Sequence, residues 1–365
     1  MTLRSLKVAV LGAGSMGLAT SALLASRGHA PIMWSPSGGS THGLAPRTVI
    51  RASGALAGEW EIGIAASLAE ALGEADAVVL AVDGGGHRPV MEAAAPLLRP
   101  GVPFIIGAAH SMGAVALSAL LAARDISLPI ISWNTTVATA HKTDATSVDI
   151  RTVRPRIEAA VMPARDRAAA LDLCHELTGA LIEPRGDALA IALLSNSNPV
   201  FHVPVCLLNI SRIEHRESWA PYGQTTEAVG RLMEALDAER IAVAQAYGST
   251  IHSLNEHFHR SFRTPLGPMA QMNATLFASG RGPKGPRSVD HRYISQDLSY
   301  GLVFAAEVAR LAGVATPVHD ATITLAGASI GRDYKAENTL LEALKLEGLS
   351  VPAILQRATN GFFET

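Results

Sequence analysis

Asn198 and His202 stand four residues apart inside an otherwise apolar run, Ser195 to Glu214 (SNSNPVFHVPVCLLNISRIE). On a helix that spacing puts an amide and an imidazole on one face, although Pro199 and Pro204 argue against an unbroken helix. A histidine among apolar neighbours is ordinarily a satisfied core residue, so the pair alone decides nothing. A second cluster, His291-Arg292-Tyr293 followed by Asp297, brings complementary groups. An arginine suits two-point capture of a carboxylate, and an aspartate can fix the tautomer of a histidine and stabilise its charged form. The third stretch, Gly12-Ala13-Gly14-Ser15-Met16-Gly17, would act through its backbone. It fits GxGxxG directly after an apolar strand and opens a helix. Gly12 allows the tight turn, Gly14 lets a pyrophosphate approach the backbone, and Gly17 lets helix and strand pack closely, with the N–H groups of the helix start facing the phosphates. Dinucleotide binding is the expectation.

Which dinucleotide depends on the end of the second strand, where an acid normally accepts hydrogen bonds from the NAD ribose. Here that strand ends Met33-Trp34-Ser35-Pro36-Ser37, and no Asp or Glu precedes Glu59. Five cations, Arg4, Lys7, Arg27, Arg47 and Arg51, share that stretch without an acid. A 2′-phosphate would meet the hydroxyls of Ser35 and Ser37 and a guanidinium, so NADP(H) is favoured over NAD(H). The alternative is that Ser35 bonds an NAD ribose and the arginines are solvated elsewhere.

These residues need elements to hold them. The first half alternates apolar strands (near 7–11, 30–34, 77–82, 103–107 and 129–133) with helical stretches (15–27, 67–74, 87–98 and 111–123), followed by a strand at 157–162, a helix at 165–178 and Leu181-Ile182. That alternation predicts an α/β fold, a Rossmann-type doubly wound parallel sheet over 1–185. Pro184-Arg185-Gly186 marks the boundary, and 186–365 reads as an all-α domain. Its clearest helix runs from Thr225 to Tyr247, with Val229, Leu232, Met233, Leu236 and Val243 as one stripe. GRGPKGPR (280–287) reads as a surface or active-site loop. The tail from Asn360 carries no signal.

Composition excludes several classes. At 365 residues, 48% hydrophobic, the chain has material for about two domains. Thirty basic against 32 acidic residues leave no field for a nucleic acid. The run from Val8 to Ser26 imitates a signal peptide, but Gly12, Gly14 and Gly17 punctuate it, so neither targeting segment nor membrane span is expected. Cys174 and Cys206 fit no disulfide framework or zinc spacing, which suits a reducing cytoplasm. His252, His257 and His259 lack the spacing of a helical zinc site, and no metal is expected.

With these segments together the chain resembles the opine dehydrogenase family, and closely its bacterial N-(carboxyethyl)amino-acid dehydrogenases. The resemblance covers most of the length. It rests on GAGSMG with Arg27-Gly28-His29, on NPVFHVPVCLLNISRIE (198–214), on LDAERIAVAQAYG (236–248) and on HRYISQDLSYGLV (291–303). It implies reductive condensation: the amine of an amino acid adds to the ketone of a 2-oxo acid, water leaves, and the imine takes a hydride from the nicotinamide. In that chemistry His202 would be the general acid/base, Asp297 would orient and charge-balance it, Arg292 would hold the 2-oxo acid carboxylate, and Asn198 would help position the substrate.

Two departures stand out. Family members often carry an acid where Ser35 stands, and the loop after the fourth strand, Val82-Asp83-Gly84-Gly85-Gly86-His87, has more glycine and less proline than expected. By the resemblance that loop, His87 included, could lie beside the nicotinamide, and His87 could equally be a solvent-facing residue of a helix's first turn. A ketopantoate-reductase-like hydroxyacid dehydrogenase is the nearest rival, but such enzymes use a lysine as acid and none lies between Lys142 and Lys284. A non-catalytic dinucleotide sensor would need neither proton donor nor carboxylate clamp. A homodimer is the preferred assembly, on the apolar surface of the helical domain.

Overall fold

The computed structural model describes residues 5–195 and 197–363. They form two compact units. The first runs to Ile191 and takes the chain back from Leu355 onward, and the second is Ala192–Ile354.

The first unit starts as the glycine motif demands, with β1 (Lys7–Leu11), α1 (Ser15–Ser26) and β2 (Ala30–Trp34). Val8, Val10 and Leu11 are fully buried, and Leu18, Ala19 and Ala22 of α1 are buried with them. The chain continues through β3 (Arg47–Gly54), β4 (Gly58–Ile64), α2 (Leu68–Gly73), β5 (Ala77–Leu80), α3 (Gly84–Ala94), β6 (Phe104–Ile106) and α4 (Gly113–Ala122). It completes the sheet with β7 (Ile130–Trp133), β8 (Ala138–Lys142), β9 (Ser147–Val153), β10 (Arg156–Met162), α5 (Arg167–Thr178) and β11 (Leu181–Pro184). The strand order is β11-β10-β7-β6-β5-β1-β2-β4-β3-β9-β8. β1 lies between β5 and β2 in parallel register, Leu11 opposite Leu80 on one side and Trp34 on the other.

The sheet is mostly parallel, as expected, but not wholly so. The pairs β3/β4, β7/β10 and β8/β9 are antiparallel. β3, β4, β8 and β9 were not expected, because their side chains alternate between water and the core and give no continuous apolar run. The division between units also falls beyond the expected Pro184–Gly186 boundary, inside α6 (Ala188–Ser195), whose Leu189, Ile191 and Leu193 are fully buried. The chain from Leu355 onward, expected in the helical domain, joins the first unit, where the Phe362 N–H donates to Ser118 Oγ at 3.1 Å.

The second unit is helical: α7 (Ser197–Leu207), α8 (Ile210–Glu214), α9 (Glu227–Ala246), α10 (Leu254–Phe262), α11 (Met269–Ala278), α12 (Val303–Leu311) and α13 (Pro317–Ile330). α9 begins where Thr226 accepts the Val229 N–H, and it buries Val229, Met233, Leu236 and Val243 as its spacing predicts. Asp237 and Arg240 are buried on it too. The Arg240 guanidinium bonds Asp237 Oδ1 at 2.6 Å and donates to the Leu193 and His252 carbonyls, so the buried charge is fully used. The stretch Ala188–Leu207 is long and apolar enough to cross a membrane, with a mean hydropathy of 1.2, but 88% of it is buried inside the protein. It reads as core.

Candidate active site

The glycine-rich turn performs the three tasks set by its spacing. Gly12 has φ +135°, and a Cβ there would lie 2.3 Å from the Ala81 carbonyl oxygen. A Cβ on Gly17 would lie 1.9 Å from the Gly12 carbonyl oxygen, so α1 packs against β1 only because Gly17 has none. A Cβ on Gly14 would meet nothing within 4 Å. That open cradle at the start of α1 fits a pyrophosphate resting on the N–H groups of Ser15, Met16 and Gly17.

Ser35 ends β2, is buried, and lines a recess of about 270 Å³ with Trp34, Gly38, Thr41, His42 and Ile64. Ser37 is exposed and does not line it. Neither a carboxylate nor a guanidinium lines the recess among the described residues. The cations credited with a 2′-phosphate are engaged elsewhere. Arg47 pairs with Glu61 at 2.7 Å, Arg51 with Glu59 at 3.0 Å, Lys7 with Glu74, and Arg27 donates to the Glu176 carbonyl at 3.2 Å. Arg4 lies outside the described residues. The expectation of unopposed arginines is therefore corrected: the β3–β4 hairpin sets Glu59 directly across from Arg51 and brings Glu61 within reach of Arg47.

His87 sits in the first turn of α3, whose start is capped by the Asp83 carboxylate accepting the Gly86 N–H at 3.0 Å. Its side chain is fully buried, neither ring nitrogen makes a hydrogen bond, and its ring lies 5.7 Å from that of His110. Burial first and the neighbouring imidazole second hold its pKa down to about 3, with only a weak opposing pull from the Val82 backbone. As placed, it offers no surface to a cofactor.

In the second unit α7 is continuous through Pro199 and Pro204, so Asn198 and His202 do lie one turn apart. Asn198 is exposed and His202 is 9% exposed. The ring Nδ1 of His202 lies 2.6 Å from Asp297 Oδ2. A carboxylate accepts, so Nδ1 carries the hydrogen and Nε2, which has no hydrogen-bond partner among the described residues, is the working nitrogen. Burial pushes the His202 pKa down, and the Asp297 carboxylate pushes it back up. The positive charge of Arg292 adds a smaller downward push. Tyr293 was not singled out for a role from the sequence, yet its ring stacks on the imidazole at 3.6 Å and 10°. It stands four residues before Asp297, the spacing that could have flagged it. The guanidinium carbon of exposed Arg292 lies 5.3 Å from the centre of the Tyr293 ring.

The aspartate is placed by an unusual turn. Residues Asp297–Leu302 are π-helical, and the Asp297 N–H donates to the Arg292 carbonyl five residues back at 3.2 Å. The stretch from Asp297 to Leu311 is thus two pieces, the π-helical turn and α12. The 280s loop is irregular, as expected, and is tied down where Trp219 Nε1 donates to the Pro286 carbonyl at 2.9 Å.

Residues 184–330 match the family model for the alpha-helical domain of NAD/NADP octopine/nopaline dehydrogenases, and residues 7–110 match that for the N-terminus of NAD-dependent glycerol-3-phosphate dehydrogenase. An opine dehydrogenase of Arthrobacter sp. (strain 1C) is 29% identical over 95% of this chain and 97% of its own. The chain is thus similar to opine dehydrogenases along nearly its whole length. It is an NAD(P)-dependent oxidoreductase acting on CH–NH groups. Among solved structures, octopine dehydrogenase with NADH and L-arginine superposes at TM-score 0.78, with 18% identity and coverage of 99% of this chain and 100% of the other. Yersinopine dehydrogenase with NADP+ superposes at 0.74, with 16% identity and coverage of 98% and 99%. At those identities the likeness shows the fold, and this opine dehydrogenase carries its own site residues as described above.

Proposed function

We propose that this opine dehydrogenase condenses an amino acid with a small 2-oxo acid such as pyruvate, using His202 as general acid/base. We place it nearest the bacterial N-(1-D-carboxyethyl)-L-norvaline type, a reading that rests on the motifs at 198–214 and 291–303. The observation that carries the mechanism is the 2.6 Å bond from His202 Nδ1 to Asp297, which leaves Nε2 to exchange a proton. The amine adds to the ketone, and protonated His202 gives its Nε2 proton to the carbinolamine oxygen, which departs as water. The nicotinamide, when bound, supplies the hydride that reduces the resulting imine. Asp297 orients the ring and balances its charge. Arg292 binds the 2-oxo acid carboxylate. Because its charge lowers the proton affinity of His202, a carboxylate captured there offsets that charge, and the proton donor is loaded when substrate is in place. Asn198 is a positioning residue for the second substrate.

NADP(H) remains the proposed preference, supported by the absence of a carboxylate among the described residues lining the Ser35 recess rather than by arginines. A homodimer is supported by Leu208, Leu266, Phe277 and Leu325, all about half exposed in the second unit. A reducing, cytoplasmic location is supported by two buried free cysteines, Cys174 and Cys206, whose thiols burial pushes upward in pKa. The test is loss of NADPH or NADH absorbance against a matrix of 2-oxo acids, each with and without a panel of amino acids. Oxidation that requires both partners is expected. Oxidation with the oxo acid alone would make the enzyme a hydroxyacid dehydrogenase and overturn the reading.

A further inference from the structure

The segment Trp133–Thr143 turns polar after a buried strand, and the structure gives it a use. It runs through β8, an edge strand that packs on α1, and its last strand residue reaches the glycine-rich turn. The Lys142 backbone N–H donates to Ser15 Oγ at 2.9 Å, and the Lys142 ammonium donates to the Ala13 carbonyl at 3.1 Å. Both contacts fall on the residues that flank Gly14, whose missing Cβ opens the cradle.

We propose that Lys142 is a cofactor-binding residue, the cation that holds a phosphate group of the dinucleotide. This rests on the dinucleotide reading of the turn. An ammonium has three N–H donors, and one of them is spent on Ala13. No carboxylate pairs with Lys142 among the described residues, whereas Lys7, Arg47 and Arg51 each face a glutamate. The nearest acid in sequence, Asp144, is occupied by the Thr146 N–H at 2.8 Å and the Thr146 hydroxyl at 3.3 Å. A half-buried ammonium at a helix N-terminus, with two donors unspent, is matched by a phosphate oxygen. Ser15 fits the same reading. Its oxygen accepts from the Lys142 backbone, so its own hydroxyl hydrogen is left to donate outward. The phosphate could be the pyrophosphate shared by both dinucleotides or the 2′-phosphate of NADP(H), and these are separable.

The experiment is titration of the folded parent, Lys142→Met and Lys142→Arg with NADH, NADPH and adenosine, read as dissociation constants by calorimetry. Lys142→Met should weaken dinucleotide binding on the order of tenfold or more, as expected for loss of a hydrogen bond to a charged group. Lys142→Arg should keep most of the affinity, and adenosine, which has no phosphate, should bind all three proteins alike. Equal losses for NADH and NADPH assign the pyrophosphate, and a loss confined to NADPH assigns the 2′-phosphate. Unchanged dinucleotide affinity in Lys142→Met overturns the proposal while leaving the dinucleotide reading intact. Equal weakening of adenosine also overturns it and reduces Lys142 to a strut. If the parent binds neither dinucleotide, the underlying reading falls as well. Should Lys142→Met fail to fold, acetylation of Lys142 in the parent, followed by mass spectrometry, decides: protection by NADPH or NADH supports the proposal, and none overturns it.

Discussion

Two buried histidines, one in each unit, were both singled out from the sequence, and the structure gives them opposite lives. His202 has a carboxylate on Nδ1, an aromatic ring stacked on its face and no bond on Nε2 among the described residues. His87 is buried more completely, with an imidazole for a neighbour and no hydrogen bond on either nitrogen. Burial lowers the proton affinity of both. Only at His202 does an opposing charge restore part of it, so that ring is the one better able to hold and pass a proton. Burial and residue type are common to the pair. The partner makes the difference.

The comparison can be broken in three places. The largest effect should come from His202→Gln, which keeps the volume and removes the titrating ring. Turnover in condensation should fall on the order of 10²–10⁴-fold while NADPH affinity, measured by calorimetry, stays put. Full turnover in a folded, cofactor-binding variant would refute the assignment. Asp297→Asn should cost about 10²-fold and also move the pH profile. Condensation needs protonated His202 in the free enzyme, so kcat/KM should decline as pH rises through a midpoint below the ordinary imidazole value. Asp297 is what raises that midpoint, hence the amide variant should place it lower still. A midpoint that moves up, or does not move, contradicts the pairing. The smallest effect belongs to His87→Leu, seen in stability rather than turnover. A folded-state pKa of about 3 against 6.5 when unfolded means that its contribution is complete above pH 6.5 and is lost as pH falls from there toward 3. The slope is about 1.4 kcal/mol per pH unit for one proton. Denaturant unfolding at pH 7 and pH 5 should show a shallower loss in the variant, and parallel losses would mean that His87 does not titrate as described.

How far the sequence could be read follows the range of the forces involved. The GxGxxG turn was legible because its spacing is local: Gly17 is kept bare by the Gly12 carbonyl five residues back, although Gly12 itself is confined by Ala81 at the end of β5. The α9 stripe was legible for the same reason, since one periodicity suffices. The pairing of His202 with Asp297 spans 95 residues, and only family likeness joined the two motifs. What misled was the hairpin. Counting charges along the chain left Arg47 and Arg51 unopposed, but the β3–β4 register returns Glu61 and Glu59 to them within a few residues. The edge strands themselves went unread because half of each faces water and their apolar content falls below what a buried parallel strand displays. Lys142 carries no signal in its neighbours, because only the packing of edge strand β8 on α1 brings it to residue 13.

The π-helical turn at Asp297–Leu302 has a meaning for how this sequence can change. One extra residue in a turn offsets the helical phase by about 100°, so the carboxylate and the apolar stripe of α12 need not share a single wheel. Val303, Phe304 and Val308 can drift under the demands of packing, while Asp297 keeps its aim on the imidazole. Two selective pressures that a straight helix would chain together are here free to act apart.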